Sequence, residues 1–115
     1  MCDVILPSEQ DFFNFLGVYP ASVDDGEATF LLELRQLMRS TRISFDAIER
    51  SVWIWIFDEV QKTFEIYAEG LERVSLIEVD QKKRIEFSLA SAGYRLSIRL
   101  FVRPDIFLEC EQFIV

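Results

Sequence analysis

From Thr41 to the end of the chain, apolar and polar residues alternate with a period of two, and this alternation constrains the fold more than any other feature. Successive side chains of a β-strand point to opposite faces, so a period of two is what a half-buried strand requires. The pattern predicts seven strands: Arg42 to Asp46, Ser51 to Asp58, Thr63 to Glu69, Arg73 to Val79, Ile85 to Leu89, Tyr94 to Val102 and Ile106 to Ile114. Their connections are short and polar, which makes an antiparallel meander the economical topology. Within Arg73 to Val79 the apolar phase passes from Val74 and Leu76 to Ile77 and Val79. That slip predicts a β-bulge near Leu76 and Ile77.

The last hairpin can be read down to its register. If Arg103-Pro104-Asp105 is a three-residue turn, Val102 faces Ile106, Leu100 faces Leu108 and Ile98 faces Cys110. The same register sets Arg99 opposite Glu109 on the other face. Apolar residues then meet apolar ones and plus meets minus, which is how a pair of strands selects its register.

Before Thr41 the spacing is helical. Ser8 is placed to cap a helix whose first turn holds Glu9 and Asp11, with Phe12, Phe13 and Leu16, extended by Val18, as its apolar stripe and Gly17 at its end. Pro20, Ser22, Asp24, Asp25 and Gly26 mark a loop over Tyr19 to Gly26. A second helix is expected from about Glu27 to Arg39, because Phe30, Leu31, Leu34, Leu37 and Met38 follow helical spacing. A strand over Thr29 to Leu34 is the alternative. The expected fold is α+β: residues 1–115 as one domain, with two N-terminal helices packed on a curved, mainly antiparallel sheet of about six or seven strands.

The run Ser51-Val52-Trp53-Ile54-Trp55-Ile56-Phe57 is apolar on both faces. Such a strand is expected to be central and covered on both sides, with Trp53 and Trp55 in the core rather than on an exposed platform. Cys110 alternates in phase with apolar neighbours and reads as a small buried hydrophobe. Cys2 and Cys110 are too few and too far apart for a disulfide framework.

Several function classes are excluded or disfavoured. The chain has no histidine. That removes the commonest general base and metal ligand, along with Ser-His and Cys-His triads. Cys/His clusters of zinc-site spacing are absent, Asp24-Asp25-Gly26-Glu27 lacks the spacing of a calcium loop, and no glycine-rich phosphate cradle occurs. Glu65 with Glu69, and Glu109 with Glu111, share strand faces. Residues two apart on a strand lie about 7 Å apart, a spacing that glycoside hydrolysis could use. A solvated strand face produces such pairs routinely, so no catalytic residue and no cofactor is expected. Lys82, Lys83, Arg84, Arg95, Arg99 and Arg103 are interleaved with Glu78, Asp80 and Glu86, and the net charge is −8. Direct nucleic-acid binding is therefore disfavoured. No apolar run approaches the length of a membrane span, and the N-terminus reads as no signal peptide, which points to the cytoplasm.

The acidity is unevenly distributed. Seven carboxylates precede the first basic residue, Arg35, and Asp58, Glu59, Glu65, Glu69 and Glu72 stand against Lys62 alone. Such charge keeps an apolar chain soluble and also complements a basic protein surface. In size, acidity and expected architecture the chain resembles bacterial immunity proteins. The resemblance implies a non-enzymatic inhibitor that neutralises a cognate toxin domain, a nuclease among the options, by direct binding. Its expected contacts are Asp58, Glu59, Glu65, Glu69 and Glu72, with Tyr67 as an aromatic anchor on the same strand face. The expected partner is a basic protein such as a toxin domain, met by a monomer or homodimer. Two alternatives remain: an oligomeric scaffold or secretion-chaperone-like protein using the Trp-rich strand or Phe-rich helix, and a small-ligand-binding α+β domain.

Overall fold

Ser8 starts α1 (Glu9–Leu16) as expected. Its Oγ accepts from the Asp11 N–H at 3.0 Å, and the Asp11 carboxylate accepts from the Ser8 N–H at 3.1 Å, a closed capping box. Gly17 ends the helix in the left-handed region at φ 82°, donating to the Phe13 carbonyl. The computed structural model describes residues 3–22 and 29–114. Within them α1 is the only helix, and nine strands follow it.

The strands are β1 (Ala21–Ser22), β2 (Thr29–Gln36), β3 (Arg39–Asp46), β4 (Ser51–Asp58), β5 (Gln61–Glu69), β6 (Leu71–Val79), β7 (Lys82–Ser91), β8 (Tyr94–Arg103) and β9 (Phe107–Ile114). They form two antiparallel sheets in sequence order, β1-β2-β3-β4-β5 and β6-β7-β8-β9. The expected fold of two helices on one sheet is thereby overturned: the chain is mostly β, with one short helix and two sheets.

The expected second helix is the β2–β3 hairpin. Phe30, Leu31, Leu34, Leu37 and Met38 suit helical spacing, but Phe30, Leu32 and Leu34 equally suit one face of a strand. Pairing decides between them. Eight residues of β2 register with eight of β3, which satisfies the backbone groups and sets Phe30 beside Phe45 and Leu32 beside Ile43. Leu37 and Met38 form the turn. Glu27, the expected helix start, and Asp24, Asp25 and Gly26 lie outside the described residues.

Inward rows run straight across each sheet. Leu32, Ile43, Ile54 and Ile66 register side by side in the first; Leu76, Ile85, Leu100 and Leu108 do so in the second. Both faces contribute to one buried cluster, which Phe12 and Leu16 of α1 also enter. Each fully buried Leu, Ile or Phe contributes roughly 1.5–3 kcal/mol, so these rows dominate the stability. The Phe12 ring lies 6.0 Å from that of Phe45, and Lys83 Nζ donates to the Phe15 carbonyl at 3.0 Å, tying α1 to both layers.

The last hairpin has the expected register, with Ile98 opposite Cys110, Arg99 opposite Glu109 and Leu100 opposite Leu108. Three other expectations need correction. The bulge in β6 falls between Leu71 and Arg73, where the strand leaves Gly70, while Leu76 and Ile77 pair without interruption. Cys110 is exposed, because β9 is an edge strand on which only Leu108 is partly covered. Trp53 is 40% exposed and Trp55 is half-buried, because only the Val52, Ile54 and Ile56 side of β4 meets the other layer.

The chain passes between sheets at Gly70, at φ +93°. Gly70 N and Leu71 N both donate to the Arg50 carbonyl, and Ala90 N donates to that of Gly70. A Cβ at Gly70 would lie 2.2 Å from the Ala90 oxygen. Gly70→Ala is expected to destabilise the fold by more than about 2 kcal/mol, read as a lower denaturant midpoint.

Asp46 anchors the β3–β4 turn. Burial pushes its carboxyl pKa up, but the Glu49 N–H at 2.7 Å, the Thr29 hydroxyl at 2.7 Å and the Ile48 N–H at 2.8 Å together hold it below the usual value. A lowered folded pKa adds stability above the unfolded value, about 3.9, that is lost as pH falls through the folded one. Asp46→Ala is expected to cost roughly 1–2 kcal/mol at neutral pH through lost hydrogen bonds. Urea titrations below about pH 4 should show that difference shrinking.

Candidate partner-binding surface

The outward face of the five-stranded sheet is built by the same alternation that fills the core. Its rows follow from the register: Glu33, Arg42, Trp55 and Glu65 in one, Leu31, Ser44, Trp53 and Tyr67 in the next, and Thr29, Asp46, Ser51 and Glu69 beyond it. Trp53 and Trp55, two apart on β4, stack with ring centroids 5.1 Å apart. Tyr67 meets Trp53 edge-on, also at 5.1 Å. Aromatic pairs in these geometries hold each other in place.

Glu65 binds this cluster together. One carboxylate oxygen accepts from Trp53 Nε1 at 2.7 Å and the other from Lys62 Nζ at 2.7 Å. The Lys62 hydrogen bond first, and the Trp53 indole second, hold the Glu65 carboxyl below the ordinary glutamate pKa. On the β3 side, Arg42 lies 6.0 Å from the Phe57 ring centroid and pairs with Glu33 at 3.5 Å. The result is an exposed aromatic stack, locked from one side by a carboxylate and bordered by charges of both signs. Such a surface suits protein recognition, where Trp and Tyr anchors carry much of the affinity.

The expected contact residues divide into three places. Glu65, Tyr67 and Glu69 share the outward face of β5. Asp58 and Glu59 lie at the end of β4 and in the following turn, with Asp58 in an ion pair with Arg39 at 2.7 Å. Glu72 sits in the β6 bulge on the other sheet, paired with Arg95 at 3.2 Å. The structure thus does not bring Glu72 together with the others. Trp53 and Trp55 are the surface residues that the sequence reading assigned to the core. Their cross-strand neighbours Arg42, Ser44 and Glu65 are polar, and that was the available signal for a solvent-facing row.

The arrangement offers little for catalysis. Glu109 and Glu111 both bind Arg99, at 3.4 and 3.3 Å, so this pair is accounted for as a cross-strand ion network. Among the described residues, no group of three or more metal-ligating side chains converges, and no helix is long and apolar enough to cross a membrane.

No family model matches the sequence, and a comparison with curated proteins gives no match. Among solved structures, the fold is similar to a chain of the contact-dependent growth inhibition toxin–immunity protein complex from Klebsiella pneumoniae 342. The TM-score is 0.86 at 18% identity, covering 98% of this chain and 100% of that one. The likeness is one of fold. Nearly every residue of both chains takes part, so it extends to the whole two-sheet arrangement rather than to a shared hairpin.

Both tryptophans of the protein lie in this cluster, so intrinsic fluorescence reads it directly. The lowered Glu65 pKa means its contacts are present above the ordinary glutamate value, about 4.3, and are lost as pH falls through the folded one. An acid titration is expected to change the emission below about pH 4, and Glu65→Gln should remove that transition.

Proposed function

We propose that the protein is a non-enzymatic inhibitor of the immunity-protein kind, which neutralises a toxin domain by binding it directly. The observation that carries this reading is the exposed Trp53–Trp55–Tyr67 cluster with Glu65 bonded into it. A fold needs no such surface, since solvent-facing sheet positions are ordinarily polar. The whole-chain likeness in fold to a component of a toxin–immunity complex supports the same reading. A shared fold does not by itself establish a shared activity; the exposed aromatic surface is what points to a binding partner.

In this reading Trp53 and Tyr67 are the aromatic anchors, and Glu65 and Glu69 meet basic residues of the partner. Asp58 and Glu59 extend the acidic edge at one end. Glu72 belongs to a separate region and contributes through the overall field. A net charge of −8 speeds encounter with a basic partner and makes association salt-dependent. The same exposed aromatics would also serve self-association, which light scattering distinguishes.

Co-expression with toxin domains encoded beside the gene is expected to relieve toxicity and yield a salt-sensitive complex. Trp53→Ala and Tyr67→Ala should each weaken binding about tenfold or more by calorimetry. Glu65→Lys with Glu69→Lys should chiefly slow association. Undiminished binding by all of these variants would discard this surface, and co-expression that yields neither complex nor protection would discard the inhibitor.

A further inference from the structure

Three turns meet at the end of the molecule beyond β2, β4 and β8, and two of them carry residues that their own geometry disfavours. Leu37 and Met38 form a two-residue turn between the paired Gln36 and Arg39, and Leu37 has φ 50°. Glu59 and Val60 do the same between Asp58 and Gln61, with Glu59 at φ 57°. A positive φ at the first central position alone is the II′ pattern, where glycine is preferred. Here a leucine and a glutamate stand instead. Leu37 and Val60 are also 93% and 96% exposed.

The remaining two-residue turns provide an internal comparison. Asp80-Gln81 is polar, with Asp80 and Gln81 both at positive φ, and Ala92-Gly93 puts glycine at its positive φ. Gln81 at φ 65° and Arg50 at φ 57° carry the same backbone cost as Leu37 and Glu59, but neither of their turns presents a large apolar side chain at the tip of a two-residue hairpin. What distinguishes the Leu37 and Val60 turns is that each presents a nearly fully exposed apolar side chain, which contributes nothing to the core.

The tip is nevertheless firmly built. Glu59 N donates to the Met38 carbonyl at 2.6 Å, joining the two turns. Arg39 donates to Asp58 at 2.7 Å and to the Ile106 carbonyl at 2.9 Å, and Gln36 donates to the Pro104 carbonyl, which ties in the third turn. Beside Met38 runs an open groove of about 860 Å³, bordered by Phe107 and by Asp58, Glu59 and Asp105. Its one cation, Arg39, is paired with Asp58, and Glu59 and Asp105 are left to make the groove acidic. The opposite flank of the ridge holds Arg35 and Ser40.

We infer that this tip is a preformed wedge: Leu37, Met38 and Val60 enter an apolar recess on a basic protein partner, while a lysine or arginine beside that recess occupies the acidic groove. The inference rests on the inhibitor reading and extends it to a second contact region, separate from the Trp53 face. The bonds at the tip hold the backbone of the two turns in place before contact, which lowers the backbone share of the ordering cost of association.

The test uses Leu37→Gly with Val60→Asn, measured against the toxin domain that co-purifies with the wild type. Both changes suit the turn, so the thermal midpoint is expected to hold or rise while affinity falls about tenfold or more. Asp105→Lys, an exposed change, is expected to slow association and flatten its salt dependence. A stable double variant that binds undiminished overturns the wedge and leaves the Trp53 surface standing. A wild-type homodimer that the double variant disperses, with toxin binding intact, assigns the tip to a second copy instead and also overturns the inference. Absence of any wild-type complex removes the inhibitor reading and the wedge together.

Discussion

A run of eight consecutive antiparallel strands, β2 to β9, has two faces to account for, and one eight-residue helix cannot cover either. Everything else in the structure follows from how that shortage is met. The meander divides at Gly70, and the two halves turn their apolar faces toward each other. Arg50, Gly70 and Ala90 join their backbones at the crossing, where a side chain would collide with the Ala90 carbonyl. Each sheet becomes the cover of the other, and α1 enters the shared core through Phe12 and Leu16.

Once the inner faces are used in this way, both outer faces belong to solvent. The outer face of the second sheet meets that condition with ion networks, such as Arg99 between Glu109 and Glu111 and Arg84 beside Glu86. The outer face of the first sheet has ion pairs too, Arg42 with Glu33 and Lys62 with Glu65. It also holds two tryptophans and a tyrosine, with Glu65 accepting from one indole. The second sheet's outer face also carries an aromatic pair, Phe101 stacked on Phe107 at 4.3 Å beside Arg84, so what sets the first sheet apart is the pair of stacked indoles with a carboxylate bonded to one of them. The acidic N-terminal third, by comparison, has local roles where it is described: Asp11 closes the capping box and Glu33 pairs with Arg42.

How much was legible in the sequence depended on how local the deciding contact is. The last hairpin could be read to its register because turn length, apolar matches and the Arg99–Glu109 pair all lie within one short stretch of chain around a single turn. The helix start at Ser8 was readable for the same reason. The segment over Phe30 to Met38 was not, since its apolar positions suit both periods and the choice fell to pairing with β3. Of the candidate surface, Glu65, Tyr67 and Glu69 could be placed on one strand face from alternation alone. The tryptophans between them and Arg42 could not, because their exposure depends on what covers β4.

By itself, then, the sequence determined which residues after Thr41 share a strand face, where the hairpins of that stretch turn, and that His-based chemistry is unavailable. Those properties depend on composition and on a period of two, which any short stretch displays. Only the tertiary structure decided which faces are covered. The break at Gly70 sets one sheet against the other, and which side of β4 that layer covers leaves Trp53 outside the core, through contacts between residues far apart in the chain. Alternation assigns a side chain to a face; the reach of the opposing layer determines whether that face is dry.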